Sequence, residues 1–369
     1  MKIGIITYHY GLNCGAILQA YALQTQIERL GHDVEFIDYR PKVKRTFHDY
    51  VAKSPLTMIK KWIDIYNIYK YNRIDTFGKV NKRSKKKYLT INELRSSPPR
   101  FDVYITGSDQ LWNFGASAKE IPYAFLLDFG SDKTKRISFA VSLGQGFIPD
   151  ILIESFKARL LKFNAISVRE TSGCDVVQSI LDDTITVKHI QDPTILLNAI
   201  DYMKIAEPVE INDHLVVSYI LSELNNDQIS IIKSYCFDQK LDWINLRNPG
   251  SCMHIKNVMN KIVNPYQWLS YVKKSKFMIC GSFHAVIFSL IFHKPFIVMV
   301  PELITNQGGN QRINSILCSL GLLDRYVSKY SVLNINDLFN KPIEWDFVDQ
   351  WFSEQKKNSI DFLKENLVL

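Results

Sequence analysis

Lys2-Ile3-Gly4-Ile5-Ile6-Thr7-Tyr8 is an apolar, β-rich run. Gly15 to Leu30 follows, with Ile17, Tyr21, Leu23, Ile27 and Leu30 close to helical spacing and Gly31 marking its end. Val34 to Tyr39 reads as the next strand. Strand, helix and strand so close together make a βαβ unit, which requires parallel strands and a right-handed crossover. The opening alone therefore predicts an α/β fold.

The same alternation continues. Phe101 to Thr106, Arg136 to Val141 and Ala165 to Val168 are expected strands, and Ile151 to Phe163 an expected helix. Polar, irregular sequence from Asn198 to Asp213 reads as a connection. A second α/β pattern begins beyond it. Its expected strands are Leu215 to Leu221, Trp243 to Leu246, Phe277 to Cys280 and Phe296 to Val300. Helices are expected at Asp227 to Lys240, Tyr266 to Lys274, His284 to Phe292 and Arg312 to Leu320. This pattern predicts two Rossmann-like domains facing a cleft, residues 1–205 and 206–345. A last helix, 346–369, is expected to pack back on the first domain. Between Pro41 and Pro99 the chain is basic, aromatic and weakly patterned. A helix over Met58 to Phe77 and a solvated lysine cluster, Lys82 to Lys87, are expected there.

The net charge of +8 suits an anionic partner: a phosphorylated substrate, an anionic lipid surface or nucleic acid. The opening strand is too short for the core of a signal peptide. The apolar run near Ala285 to Val300 is interrupted by His293, Lys294 and Pro295, which argues against a membrane span and for a soluble, cytoplasmic protein. Six dispersed cysteines without a CxxC pair match reduced thiols rather than a disulfide framework or a zinc site. No metal is expected.

Parallel α/β sheets bind ligands beyond the carboxyl ends of their strands, so the turns there are the places to search. His9 to Ala16 offers Asn13 and Gly15, but neither a GxGxxG fingerprint nor a Walker sequence. Gly107 to Asn113 offers Ser108, Asp109, Gln110 and Trp112. The indole would pack on a sugar face and the polar groups would read hydroxyls, although Asp109 could equally cap a helix. Ser142-Leu143-Gly144-Gln145-Gly146 is a third such turn. Arg169-Glu170 ends a strand, where Arg169 either grips a carboxylate or phosphate bidentately or pairs with its neighbour. Gly281 to Ala285 places Ser282 and His284 at a helix opening, where a histidine can contact phosphate or shuttle a proton. Asn306 to Arg312 forms a polar loop able to close over a substrate, with Asn310 and Arg312 at the next helix. His293, by contrast, reads as a C-terminal cap.

Taken in order, several stretches resemble the polysaccharide pyruvyl transferase family over nearly the full chain. They are Gly15 to Gln24, Asp38-Tyr39-Arg40-Pro41, Gly107 to Asn113, Ile166 to Glu170, Asp192-Pro193-Thr194, the Trp268-Leu269 region, Ser282-Phe283-His284 and Lys294-Pro295-Phe296. The resemblance implies a GT-B-like fold, with phosphoenolpyruvate as donor substrate and no cofactor. It implies a sugar diol acceptor on a surface polysaccharide or lipid-linked precursor, and a pyruvate ketal as product. Peripheral contact with the inner membrane face would run through the basic segment, and no nucleic acid is expected as partner. His284 matches the family histidine as phosphate contact or general acid. Arg169 and Arg312 are expected to hold the anion, and Asp109 to act as base. The chain departs from the family where Gly281 replaces an acidic residue and Ala285 a glycine. Two other readings use the same turns: a nucleotide-sugar glycosyltransferase, and a non-catalytic protein anchored through its basic segment.

Overall fold

The structure, a computed structural model, describes residues 1–9, 13–41, 75–114, 122–144, 146–222, 224–247, 254–300, 310–327 and 335–368, together with Trp62 and Tyr66. Two parallel sheets organise it. In the first, β1 (Lys2–Ile6), β2 (Asp33–Tyr39), β3 (Arg83–Tyr88), β4 (Val103–Thr106) and β5 (Lys135–Ser138) lie in the order β3-β2-β1-β4-β5. A parallel pair, β6 (Ile166–Val168) and β7 (Val187–His189), continues this sheet through bridges from Ile137 to Ala165 and from Val141 to Val168. The second sheet has β8 (Leu215–Ile220), β9 (Asp242–Arg247), β10 (Met259–Ile262), β11 (Phe277–Gly281) and β12 (Phe296–Val298), in the order β10-β9-β8-β11-β12. In each sheet the strand order reverses beside the first strand, which opens a crevice at the carboxyl ends of β1 and β4, and of β8 and β11.

Helices connect the strands: α1 (Cys14–Arg29), α2 (Ile91–Ser96), α3 (Asp150–Leu160), α4 (Thr171–Leu181) and α5 (Ala199–Met203) in the first half. The second half has α6 (Asn226–Asp238), α7 (Pro265–Lys274), α8 (Phe283–Ile291), α9 (Gln311–Ser319), α10 (Ile335–Asn340) and α11 (Trp345–Asn366). Their starts are chemically marked. Asn225 with Gln228 and Asn264 with Gln267 form capping boxes that satisfy the first free N–H groups of α6 and α7, and Pro265 supplies a preset φ at the start of α7.

One apolar cluster joins Cys14, Leu18 and Ala22 of α1 to Trp268 of α7 and to Phe283 and Phe288 of α8, so the two halves share a packed core. The last helix spans both. Val348 joins that cluster, whereas Phe362, Leu363 and Leu367 join the core of the first sheet, with Phe362 against Phe139 at 6.1 Å.

Some expectations need correction. The lysine cluster, expected only to be solvated, is ordered from Arg83 onward as the edge strand β3, with Lys85, Lys86 and Lys87 exposed. Charge along an edge blocks pairing with another chain, and it also erased the apolar alternation by which a strand is recognised. The short β10 and α2 lack a readable period for the same kind of reason. Most of Met58 to Phe77 lies outside the described residues. Trp62 and Tyr66 are helical and exposed, while Phe77 sits buried in a 3-10 turn, Phe77–Lys79. His293 does end α8, at φ 52°, and also pairs with Asp349 at 2.8 Å while stacking on Trp345. Among the described residues, no helix is long and apolar enough to cross a membrane.

Candidate active site

Asp192, just beyond β7, is the centre of the site and is fully buried. Its Oδ1 accepts from the backbone N–H of Thr194 at 3.0 Å and from the Thr194 hydroxyl at 2.7 Å. Its Oδ2 accepts from Arg169 Nη1 and, at 3.3 Å, from Ser108 Oγ. From the other half of the molecule, His284 Nε2 approaches the same oxygen at 3.5 Å, too long for a good hydrogen bond. Residues following β4, β6, β7 and β11 thus meet at one point.

Backbone geometry permits the meeting. Ser282 caps α8 by accepting from Ala285 N at 3.2 Å, which sets His284 in the first turn. At Gly15 a Cβ would lie 2.0 Å from His284 Nδ1, so only glycine leaves room for the imidazole against α1. Gly281 is required as well. A Cβ there would fall 2.6 Å from the Ile220 Cα of the neighbouring strand, which explains why no acidic side chain stands before Ser282.

The charges around Asp192 are unevenly satisfied. Arg169 is buried, yet among the described residues its Nε and Nη2 have no hydrogen-bond partner, and neither does Oε2 of the adjacent Glu170. Arg169 Nε lies 3.5 Å from Glu170 Oε1, which also accepts from Ser142. The guanidinium carbons of Arg169 and Arg312 stand 5.2 and 5.5 Å from the Phe283 ring centre. Burial works against the charge on Arg169, but Asp192, Glu170 and Asp109 outweigh it and raise its pKa. Arg312 is pushed down to about 10, by burial and then by the like charge of Arg169. Burial alone would raise the Asp192 pKa. His284, Arg169 and the Thr194 N–H hold it far below the usual carboxylate range instead.

Of the residues singled out in the sequence, Gly15, Ser108, Arg169, His284 and Arg312 converge on this cluster. Asp109 adjoins it. Its backbone takes φ 100°, a strained value for a side chain, and its charge acts on both arginines and on the Tyr8 phenol, which burial also raises. Asn13 is an exposed cap that accepts from Ala16 N at 3.3 Å, and Gln110 accepts from Asn113 at 3.0 Å. Asn310 stands before α9, and the next residue, Gln311, accepts from Ser172 at 2.7 Å across the two halves. The loop residues Asn306 to Gly309, together with Gln145, lie outside the described residues.

Trp112 is the correction. It has no exposed surface, donates from its indole nitrogen to the Phe125 carbonyl at 3.1 Å, and packs edge-on against Phe156 and Phe163. It supports the turn from beneath and has no face for a sugar. Asp192 was the residue not singled out. Its signal was a carboxylate following a strand in Asp192-Pro193-Thr194, and its importance rests on contacts distant in sequence.

A second trio, with His9 and Asp38 buried and Arg40 partly exposed, stands at the ends of β1 and β2. His9 Nδ1 lies 3.0 Å from the Thr7 carbonyl oxygen and Nε2 2.9 Å from Asp38 Oδ1. Arg40 donates to both oxygens of Asp38, at 2.5 and 3.2 Å. Among the described residues no group of three or more His, Cys, Asp or Glu side chains is arranged to hold a metal ion.

The fold is shared widely. The UDP-GlcNAc 2-epimerase of Methanocaldococcus jannaschii, solved with UDP-GlcNAc and UDP, superimposes with a TM-score of 0.52 at 14% identity, covering 99% of this chain and 100% of that one. The glycosyltransferase SnogD of Streptomyces nogalater gives 0.47 at 10% identity, with 99% of each chain covered. The first of these likenesses concerns architecture alone: two Rossmann-like domains. No curated protein matches the chain. The model of the family described as polysaccharide pyruvyl transferase matches residues 13–302, and the chain belongs to that family.

Proposed function

We propose that the protein transfers a pyruvyl group from phosphoenolpyruvate to two hydroxyls of a sugar, on a surface polysaccharide or its lipid-linked precursor, and forms a cyclic ketal. The observation that carries this reading is the buried Arg169, with two nitrogens lacking hydrogen-bond partners among the described residues, beside Asp192, His284 and Arg312. Such a guanidinium suits a small anion bearing phosphate and carboxylate.

In this reading His284 gives a proton to the methylene carbon of the donor, and the adjacent carbon gains positive character. The first sugar hydroxyl attacks that carbon and loses its proton to Asp109. The bond to the phosphate oxygen then breaks, the second hydroxyl attacks, and the ketal closes. Of the two hydroxyl protons, one replaces that given to the methyl group and the other leaves on hydrogen phosphate, so the reaction balances. Arg169 and Arg312 stabilise the departing phosphate. Peripheral docking at the inner membrane face, where a lipid-linked acceptor would be met, is part of the proposal. The exposed lysines of β3 suit an anionic surface.

The test is phosphate release from phosphoenolpyruvate in the presence of a panel of sugar diols. Release that depends on acceptor and on His284 supports the proposal. Nucleotide release from a nucleotide sugar, with phosphoenolpyruvate untouched, would overturn it.

A further inference from the structure

His284 stands between opposed fields. Its Nε2 faces Asp192, its ring lies against the first turn of α1 at Gly15, and it belongs to the first turn of α8. Two helix N-termini therefore turn their positive dipole ends toward the ring. Arg169 and Arg312, both beside Phe283, act in the same sense. Asp192, Glu170 and Asp109 act in the opposite one. Among the described residues, the Cys14 thiol of α1 and the Tyr202 phenol, whose hydroxyl is tied to the Thr194 carbonyl at 2.8 Å, share a core cluster with Phe283.

The Asp192 oxygen nearest His284 is contested. Arg169 Nη1 and Ser108 Oγ already donate to it, while His284 Nε2 has no hydrogen-bond partner. An anion bound by Arg169 changes that balance. It draws the guanidinium away from Asp192 and neutralises the field of both arginines. We propose that donor binding makes His284 take up one proton from solvent, with Asp192 as the positioning carboxylate that transmits the change. The inference rests on the reading of the site as a phosphoenolpyruvate site, and it adds that the acid is charged by its own substrate. No covalent bond changes in this step; one proton passes from buffer to imidazole.

The test is calorimetric titration of the whole protein with phosphoenolpyruvate at about pH 7.5 in buffers of different ionisation enthalpy. The slope of observed enthalpy against buffer enthalpy counts protons taken up. The expected slope for the wild type is about one proton per site. It should fall to near zero in Asp192→Asn while binding still saturates, and vanish in His284→Gln, which provides the check if the Asp192 variant does not fold. Binding to the wild type with zero slope would overturn the coupling and leave the donor assignment standing. A wild-type slope retained in either variant would do the same. Absence of binding to the wild type would remove the donor assignment, and the coupling with it.

Discussion

Two histidine–aspartate–arginine trios stand out among the described residues, and they differ in completeness. In His9, Asp38 and Arg40, both ring nitrogens have an oxygen within 3.0 Å and the carboxylate is gripped by two arginine nitrogens, all within the first half of the chain. In His284, Asp192 and Arg169, the histidine comes from the opposite half, stays 3.5 Å from the carboxylate, and two arginine nitrogens have no hydrogen-bond partner. Since a buried polar group without a partner is costly, the first trio reads as a finished structural tie, and on the proposed function the second is the one that a ligand completes.

That contrast breaks most visibly under alanine. His284→Ala should lower turnover by about 10²–10⁴-fold with an almost unchanged melting temperature. His9→Ala should leave Asp38 and Arg40 without their partner and cost about 3–5 kcal/mol in urea denaturation. Exchanged outcomes would refute the division. Gly15→Ala sharpens the second half of it. The added methyl displaces His284 and should reduce kcat by about 10²-fold while circular dichroism stays native.

The first trio should also show itself in acid. Burial raises the Asp38 pKa, but the bonds from His9 and Arg40 prevail and hold it at about 2, below its unfolded value. Its contribution is therefore complete above about pH 4 and is lost as the pH falls through about 2. Asp38→Asn should be less stable than wild type at neutral pH, with a difference that narrows over that acid range. The smallest effect belongs to Trp112→Phe. Losing the indole bond to Phe125 and some volume should cost about 1–2 kcal/mol and leave the KM for phosphoenolpyruvate unchanged. A raised KM would restore the indole as a ligand contact.

Most of the fold was legible because β1, α1 and β2 carry their periods openly, and the second half repeats them. β3 was not, because its outward charges mask the alternation. At the candidate site, the turns after strands singled out Ser108, Arg169, His284 and Arg312, which the fold brings together at the carboxyl edges of its parallel sheets. Polar density misassigned Trp112. Neighbouring polar residues on a turn say nothing of which side chain points inward, and this one fills the space between Phe156 and Phe163. Asp192 stayed unrecognised because its partners lie 84 residues before it, 23 before it, and in the other half of the chain.

The most direct measurement is the affinity of phosphoenolpyruvate for wild type and for Arg312→Gln, compared by calorimetry at fixed salt. If the incomplete trio and its neighbouring arginine hold the donor's charge, the wild type binds one equivalent and the variant binds at least about tenfold more weakly. Equal affinity in the two, or no binding to the wild type, would contradict it.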